Sequence, residues 1–150
     1  MKRHESLVPI SRQHHGGLLT ARLLQLDAPP YKGMPATAPA KRDYLLQFYT
    51  EHLQPHFVLE EKSVFQLAYT LPAFAAQAKE LEAQHRHLEQ LIQELPQAPE
   101  AALPEQLDLI GKLLEKHIRQ EERVFFEALQ QELPEDKLQT LQQLVAEHVA

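Results

Sequence analysis

Cysteine is absent from this 150-residue sequence. No disulfide, thiolate zinc site or iron–sulfur cluster can form, so any metal must be held by histidine and carboxylate. Long apolar runs are missing too. No window approaches the ~20 apolar residues that a membrane span needs, and the charged start Met1-Lys2-Arg3-His4-Glu5-Ser6 has no apolar stretch behind it. A cytoplasmic protein without membrane contact is therefore expected. Basic charge is scarce: 15 Lys and Arg stand against 21 Asp and Glu, for a net charge of −6. The basic residues are scattered, which argues against a nucleic-acid partner. Sustained period-two alternation with β-branched residues is also missing, which leaves little for strands.

What is present reads as helix. A hydrophobic fraction of 43% and a charged fraction of 24% are ordinary for a soluble globular chain, and this length predicts one domain, residues 1–150, with a real core. Apolar periodicity predicts a first helix over 7–26, ending before Pro29-Pro30 and a loop rich in Pro, Gly and Ala at 27–39. A second helix is predicted over 40–69, with Pro55 inside it expected to kink it or break one hydrogen bond. Thr70 is placed to cap a third helix, with Pro72 in its first turn and its end near Leu95. A fourth is predicted over 104–131 and a short fifth over 135–148. Four long helices with mostly short connections imply an all-α, antiparallel four-helix bundle.

Two stretches repeat each other: His56-Phe57-x-x-Glu60-Glu61-Lys62 and His117-Ile118-x-x-Glu121-Glu122-Arg123, each running on to a phenylalanine, Phe65 or Phe126. A histidine and a glutamate four residues apart differ by about 40° around a helix axis, so both project from one face. The repeat reaches further back. Helix one carries His14 and His15, and helix three carries His85 and His87. The chain thus reads as two helical hairpins of one kind facing a shared interior. That interior would collect one histidine from helix one, His56 and Glu60, one histidine from helix three, and His117 and Glu121. Imidazoles with two carboxylates suit a pair of first-row metals, each glutamate free to bridge. Two divalent ions and two carboxylates leave a charge of +2, which makes burial tolerable.

Each candidate has a plainer reading. A single His-x-x-x-Glu on a helix is usually a solvated pair, and it is the duplication with matching flanks that argues otherwise. Glu61 and Glu122 lie about 140° from their histidines, as surface residues or as hydrogen-bond partners behind the ligands. His52 precedes His56 by one turn, but its counterpart is Leu113, so the symmetry argues against it. Phe65 and Phe126 read as core, and His4 and His148 as solvated ends. Tyr44 and Tyr49 read as packing residues or neighbouring donors. No general acid or base apart from the candidate ligands can be named.

At these residues the sequence resembles the hemerythrin-like (HHE cation-binding) proteins. Ser11-Arg12-Gln13-His14-His15, His52-Leu53-x-Pro55-His56-Phe57-x-x-Glu60-Glu61, His85-Arg86-x-Leu88 and Leu114-Glu115-Lys116-His117-Ile118-x-x-Glu121-Glu122 occur in that family's order. The resemblance implies an up-down-up-down four-helix bundle with two iron ions in a non-haem di-iron centre, oxo- or hydroxo-bridged. It puts the first-helix ligand on His14 and the third-helix ligand on His85, with His15 and His87 as alternates and Gln84 in place of the usual glutamate. Oxygen-carrying hemerythrins use two histidines a turn apart on the third helix; here Leu81 and Glu89 flank His85 at that spacing. The side lacking an imidazole is expected to keep an open position or to recruit a carboxylate such as Glu82. The resemblance therefore implies a protein that senses or reacts with a small ligand, O2, NO or peroxide. The alternatives are a di-iron enzyme reducing peroxide or nitric oxide, and a reversible oxygen carrier or iron-handling protein.

Overall fold

The computed structural model describes residues 2–149, and among them there are helices and no strands. The elements are α1 (Val8–Leu24), α2 (Ala38–Phe48), α3 (Gln54–Lys62), α4 (Val64–Tyr69), α5 (Ala75–Glu94), α6 (Leu103–Gln120), α7 (Phe126–Glu132) and α8 (Glu135–His148). No helix is long and apolar enough to cross a membrane.

The predicted second helix is divided. A π turn, Tyr49–Leu53, joins α2 to α3, with the Gln54 N–H reaching the Tyr49 carbonyl five residues back. Pro55 follows in the first turn of α3, where its missing N–H costs little. A second interruption falls at Ser63, where φ −121° and ψ −87° leave the helical region and start α4 afresh. The predicted fourth helix is divided too: α6 passes through a π turn, Glu121–Phe125, into α7. No proline signals that turn. Aligning the two His-x-x-x-Glu motifs sets the Ser63 break beside the Glu121–Phe125 π turn, and π turns occur often at functional sites.

The third helix begins later than expected. Thr70 does not cap it, because its hydroxyl donates to the Leu67 carbonyl at the end of α4, 2.7 Å away. The chain then turns through Pro72, and α5 starts at Ala75 behind a buried Phe74. The fifth helix forms where predicted.

Two apolar clusters make the core. One gathers Ile10, Leu59, Phe65, Leu81, Phe125 and Phe126, and α8 adds Leu138, Leu141 and Val145 to it. The other gathers Ala21, Leu45, Phe57, Leu88, Leu114 and Ile118. Helix α1 packs chiefly on α6, where Gly111 permits a close approach: a Cβ there would lie 2.5 Å from the Ala21 carbonyl oxygen. Helices α1, α3 and α5 each contribute to both clusters, and α6 leaves the second to reach the first through the Glu121–Phe125 turn and α7. Between them, each carries a buried histidine: His14 on α1, His56 on α3, His85 on α5 and His117 on α6.

Candidate metal centre

Those four histidines meet Glu60 and Glu121 in one polar layer, and both glutamates are fully buried. The six side chains form two overlapping quartets: His14, His56, Glu60 and Glu121, and His85, His117, Glu60 and Glu121. Within each quartet one ligand atom per residue lies within 4.8 Å of all the others. His14 Nε2 is 3.4 Å from Glu60 Oε2 and 3.3 Å from Glu121 Oε1, and His56 Nε2 is 3.4 Å from Glu60 Oε2. On the other side, His85 Nε2 is 3.0 Å from Glu60 Oε1, and His117 Nε2 is 3.0 Å from Glu121 Oε1. Donors about 2.0–2.2 Å from one ion and at right angles around it stand about 3 Å apart, so these spacings suit a shared ion in each quartet.

The outer ring nitrogens are all engaged. His14 Nδ1 donates to Glu122 (2.7 Å), His56 Nδ1 to Gln13 (2.7 Å), His85 Nδ1 to Glu61 (2.8 Å) and His117 Nδ1 to Gln84 (2.6 Å). Carboxylate and amide oxygens only accept, so each Nδ1 carries the proton and each Nε2 turns a lone pair inward. Tautomer and ring orientation are thereby set, as at metal-bound histidines. The carboxylates behind the rings are held in turn: Ser11 and Arg3 donate to Glu122, and Arg86 to Glu61.

The donor set fits a cation. The Nε2 atoms of His14 and His56, Oε2 of Glu60 and both Glu121 oxygens are buried without a hydrogen-bond partner. His85 Nε2 and His117 Nε2 face each other at 3.1 Å, an approach of two lone pairs that only positive charge between them makes favourable. The electrostatics of the layer agree. Burial alone would lower the pKa of His14, but Glu121, Glu122 and Glu60 hold it well above the usual histidine range. Burial opposes protonation of His85 as well, yet hydrogen bonds to Glu60 and Glu61 raise it to about 9. Burial would raise Glu60, but the neighbouring His56, with Glu121 and His14 beside it, holds it well below the ordinary carboxylate range. The layer attracts positive charge.

The structure brings all six sequence-derived candidates together. His15 and His87 are exposed on the outer faces of α1 and α5. His52 is exposed beside Phe48, their ring centroids 5.4 Å apart. Tyr49 donates to Glu89 at 2.8 Å and Tyr44 stacks along Phe48, so neither touches the layer. Glu82, expected as a possible extra carboxylate, accepts instead from the Tyr69 hydroxyl at the surface. Leu81 is fully buried in the apolar cluster with Phe65 and Phe125. Phe57 stacks on His85 with ring centroids 3.8 Å apart, so the His85 side, where an open position was expected, is closed by apolar groups. A cavity of about 800 Å³ lies on the other side, against His14 and His56.

Gln13 and Gln84 join the site without being predicted as functional residues. The signal for them was present: Gln13-His14 and Gln84-His85 are the same dipeptide in the two halves. Each glutamine serves the motif histidine of its own half, and each motif's second glutamate serves the histidine of the other half. That cross-pairing distinguishes His14 from His15 and His85 from His87.

A family model described as the hemerythrin HHE cation binding domain matches residues 7–129. No curated protein and no solved structure matches the chain.

Proposed function

The chain belongs to the hemerythrin HHE cation-binding family, and from that premise we propose that it holds two iron ions and uses them to sense or react with O2, NO or peroxide in the cytoplasm. The observation that carries this reading is the pair of quartets sharing Glu60 and Glu121. His14 and His56 would serve one ion, His85 and His117 the other, and each glutamate both, within an up-down-up-down four-helix arrangement. A non-haem iron pair supplies electrons to small oxidants and open coordination for a diatomic ligand.

The protein's own residues give that chemistry its direction. Glu61, Glu122, Gln13 and Gln84 hold the imidazoles in one tautomer, so the donor geometry exists before loading. The two apolar clusters flank the layer along the bundle. The glutamates neutralise half the charge of two divalent ions. Leu81 occupies the place where an oxygen carrier has a fifth imidazole, leaving four histidines in the set. This reading favours irreversible reaction over carriage. Mixing anaerobically reduced protein with oxygen should give the oxidised ferric spectrum directly. A spectral change that reverses when oxygen is removed would refute the reactive assignment.

A further inference from the structure

The two halves of the metal layer differ in one respect: access. Aligning Gln13-His14 with Gln84-His85 puts Gly16 and Gly17 opposite His87 and Leu88, and His52 opposite Leu113. In the second half His87 and Leu88 carry side chains there, and the space beside His117 is only about 70 Å³. In the first half the cavity against His14 and His56 reaches about 800 Å³. A diatomic molecule is only modestly larger than a water, whose share of the liquid is about 30 Å³. The space is of the size, roughly 300–1,000 Å³, that encloses small organic ligands.

Gly16 shows that this space is maintained. A glycine inside a helix costs about 1 kcal/mol relative to alanine. Neighbouring Gly17 has a packing reason, since a Cβ there would meet Ile118 Cδ1 at 2.8 Å. Gly16 has none: its φ is not positive, and its Cβ would lie at an ordinary 3.7 Å from Phe48. Neither backbone nor packing demands glycine at that position, and its missing side chain widens the cavity that it lines. The inner wall is apolar, from Phe48, Leu53, Val58 and Ile118. The rim carries Glu51, engaged by Gln47 at 3.1 Å and beside His52 at 3.9 Å, and, one turn from Gly16 on the same face, Arg12, which makes no hydrogen bond or ion pair among the described residues.

We propose that this cavity binds a small amphipathic organic anion, its apolar body against Phe48, Leu53 and Val58 and its acidic group met by Arg12. The choice of an anion also rests on the proposed metal pair, whose residual positive charge lies beneath the cavity floor.

The test uses the metal-loaded full chain and the fluorescent sulfonate 1-anilinonaphthalene-8-sulfonate as probe, displaced by octanoate or by 1-octanol. The chain has no tryptophan, so the background is low. Saturable one-to-one binding is expected, with displacement by octanoate. Gly16→Leu, which puts a side chain into the cavity it lines, should weaken binding at least tenfold without changing metal content. Arg12→Gln should weaken octanoate several-fold and leave octanol unchanged. His52→Trp narrows the rim at an exposed position and supplies an indole whose emission should respond to octanoate, so the idea stays testable if Gly16→Leu misfolds. Equal affinity in Gly16→Leu and the parent protein, an unresponsive indole, or failure of octanoate to displace the probe would overturn the proposal. Metal analysis of the same samples separates the two readings: ligand binding without metal sinks only the di-iron function, and two metals without ligand binding sink only the cavity.

Discussion

Stripping the proposed metal is the most informative perturbation of this protein. Metal-free protein buries His14 Nε2, His56 Nε2, Glu60 Oε2 and both Glu121 oxygens without hydrogen-bond partners, and each such group costs roughly 1–3 kcal/mol. Their sum, ~5–15 kcal/mol, matches the whole stability of an ordinary domain. Protons on His14 and His85 offset part of it, since both have raised pKa values in the metal-free layer. The measurable gain on loading follows from linkage: free metal at 100 to 1,000 times its Kd stabilises the native state by about 2.7–4.1 kcal/mol. At this chain length each kcal/mol moves Tm by roughly 2–4 °C. Loaded protein should therefore melt about 5–16 °C above chelator-stripped protein. Far-ultraviolet circular dichroism on matched samples of known metal content reads this directly. Equal Tm values would show that the histidine layer gains nothing from a cation and would refute the reasoning.

Two further outcomes follow from the same layer. The pKa of His85 rises from 6.5 to about 9 on folding without metal, so the stabilisation from its proton is complete below about pH 6.5 and lost as pH rises through 9. Glu60 acts in the opposite sense, contributing above about pH 4.5 and losing that contribution as pH falls through its lower folded value. Stripped protein should thus be most stable between about pH 5 and 6.5, while metal affinity climbs toward pH 9 as protons cease to compete; a stripped Tm that is flat from pH 6.5 to 9 would contradict this. Glu122→Ala and Glu61→Ala remove the acceptors behind His14 and His85 and should weaken metal binding roughly 10–100-fold, with glutamine at either position, which still accepts, losing less in a competition titration against a chelator.

The amphipathic stripes, the duplicated His-x-x-x-Glu and the place of α8 were legible in the sequence because helical period and one-turn spacing are local properties. The π turn at Glu121–Phe125 was not, because no proline or glycine marks it and only packing can have selected it. The start of α5 was misread because Thr70 can serve either neighbouring helix, and its hydroxyl is used by Leu67. Gln13 and Gln84 were visible as a repeat, yet their partners lie on other helices, at separations of 43 and 33 residues. The accessible side of the layer depends on which side chains fill tertiary space. Leu81 marked His85 as the open side, while Phe57 closes it and Gly16 opens the other.

The central claim, one layer shared by two ions, is tested most directly by counting metal per chain in protein supplied with iron and purified without chelator. The account predicts two iron ions per chain, with Glu60→Ala or Glu121→Ala losing both because each glutamate belongs to both quartets. One ion or none in well-folded parent protein would contradict it.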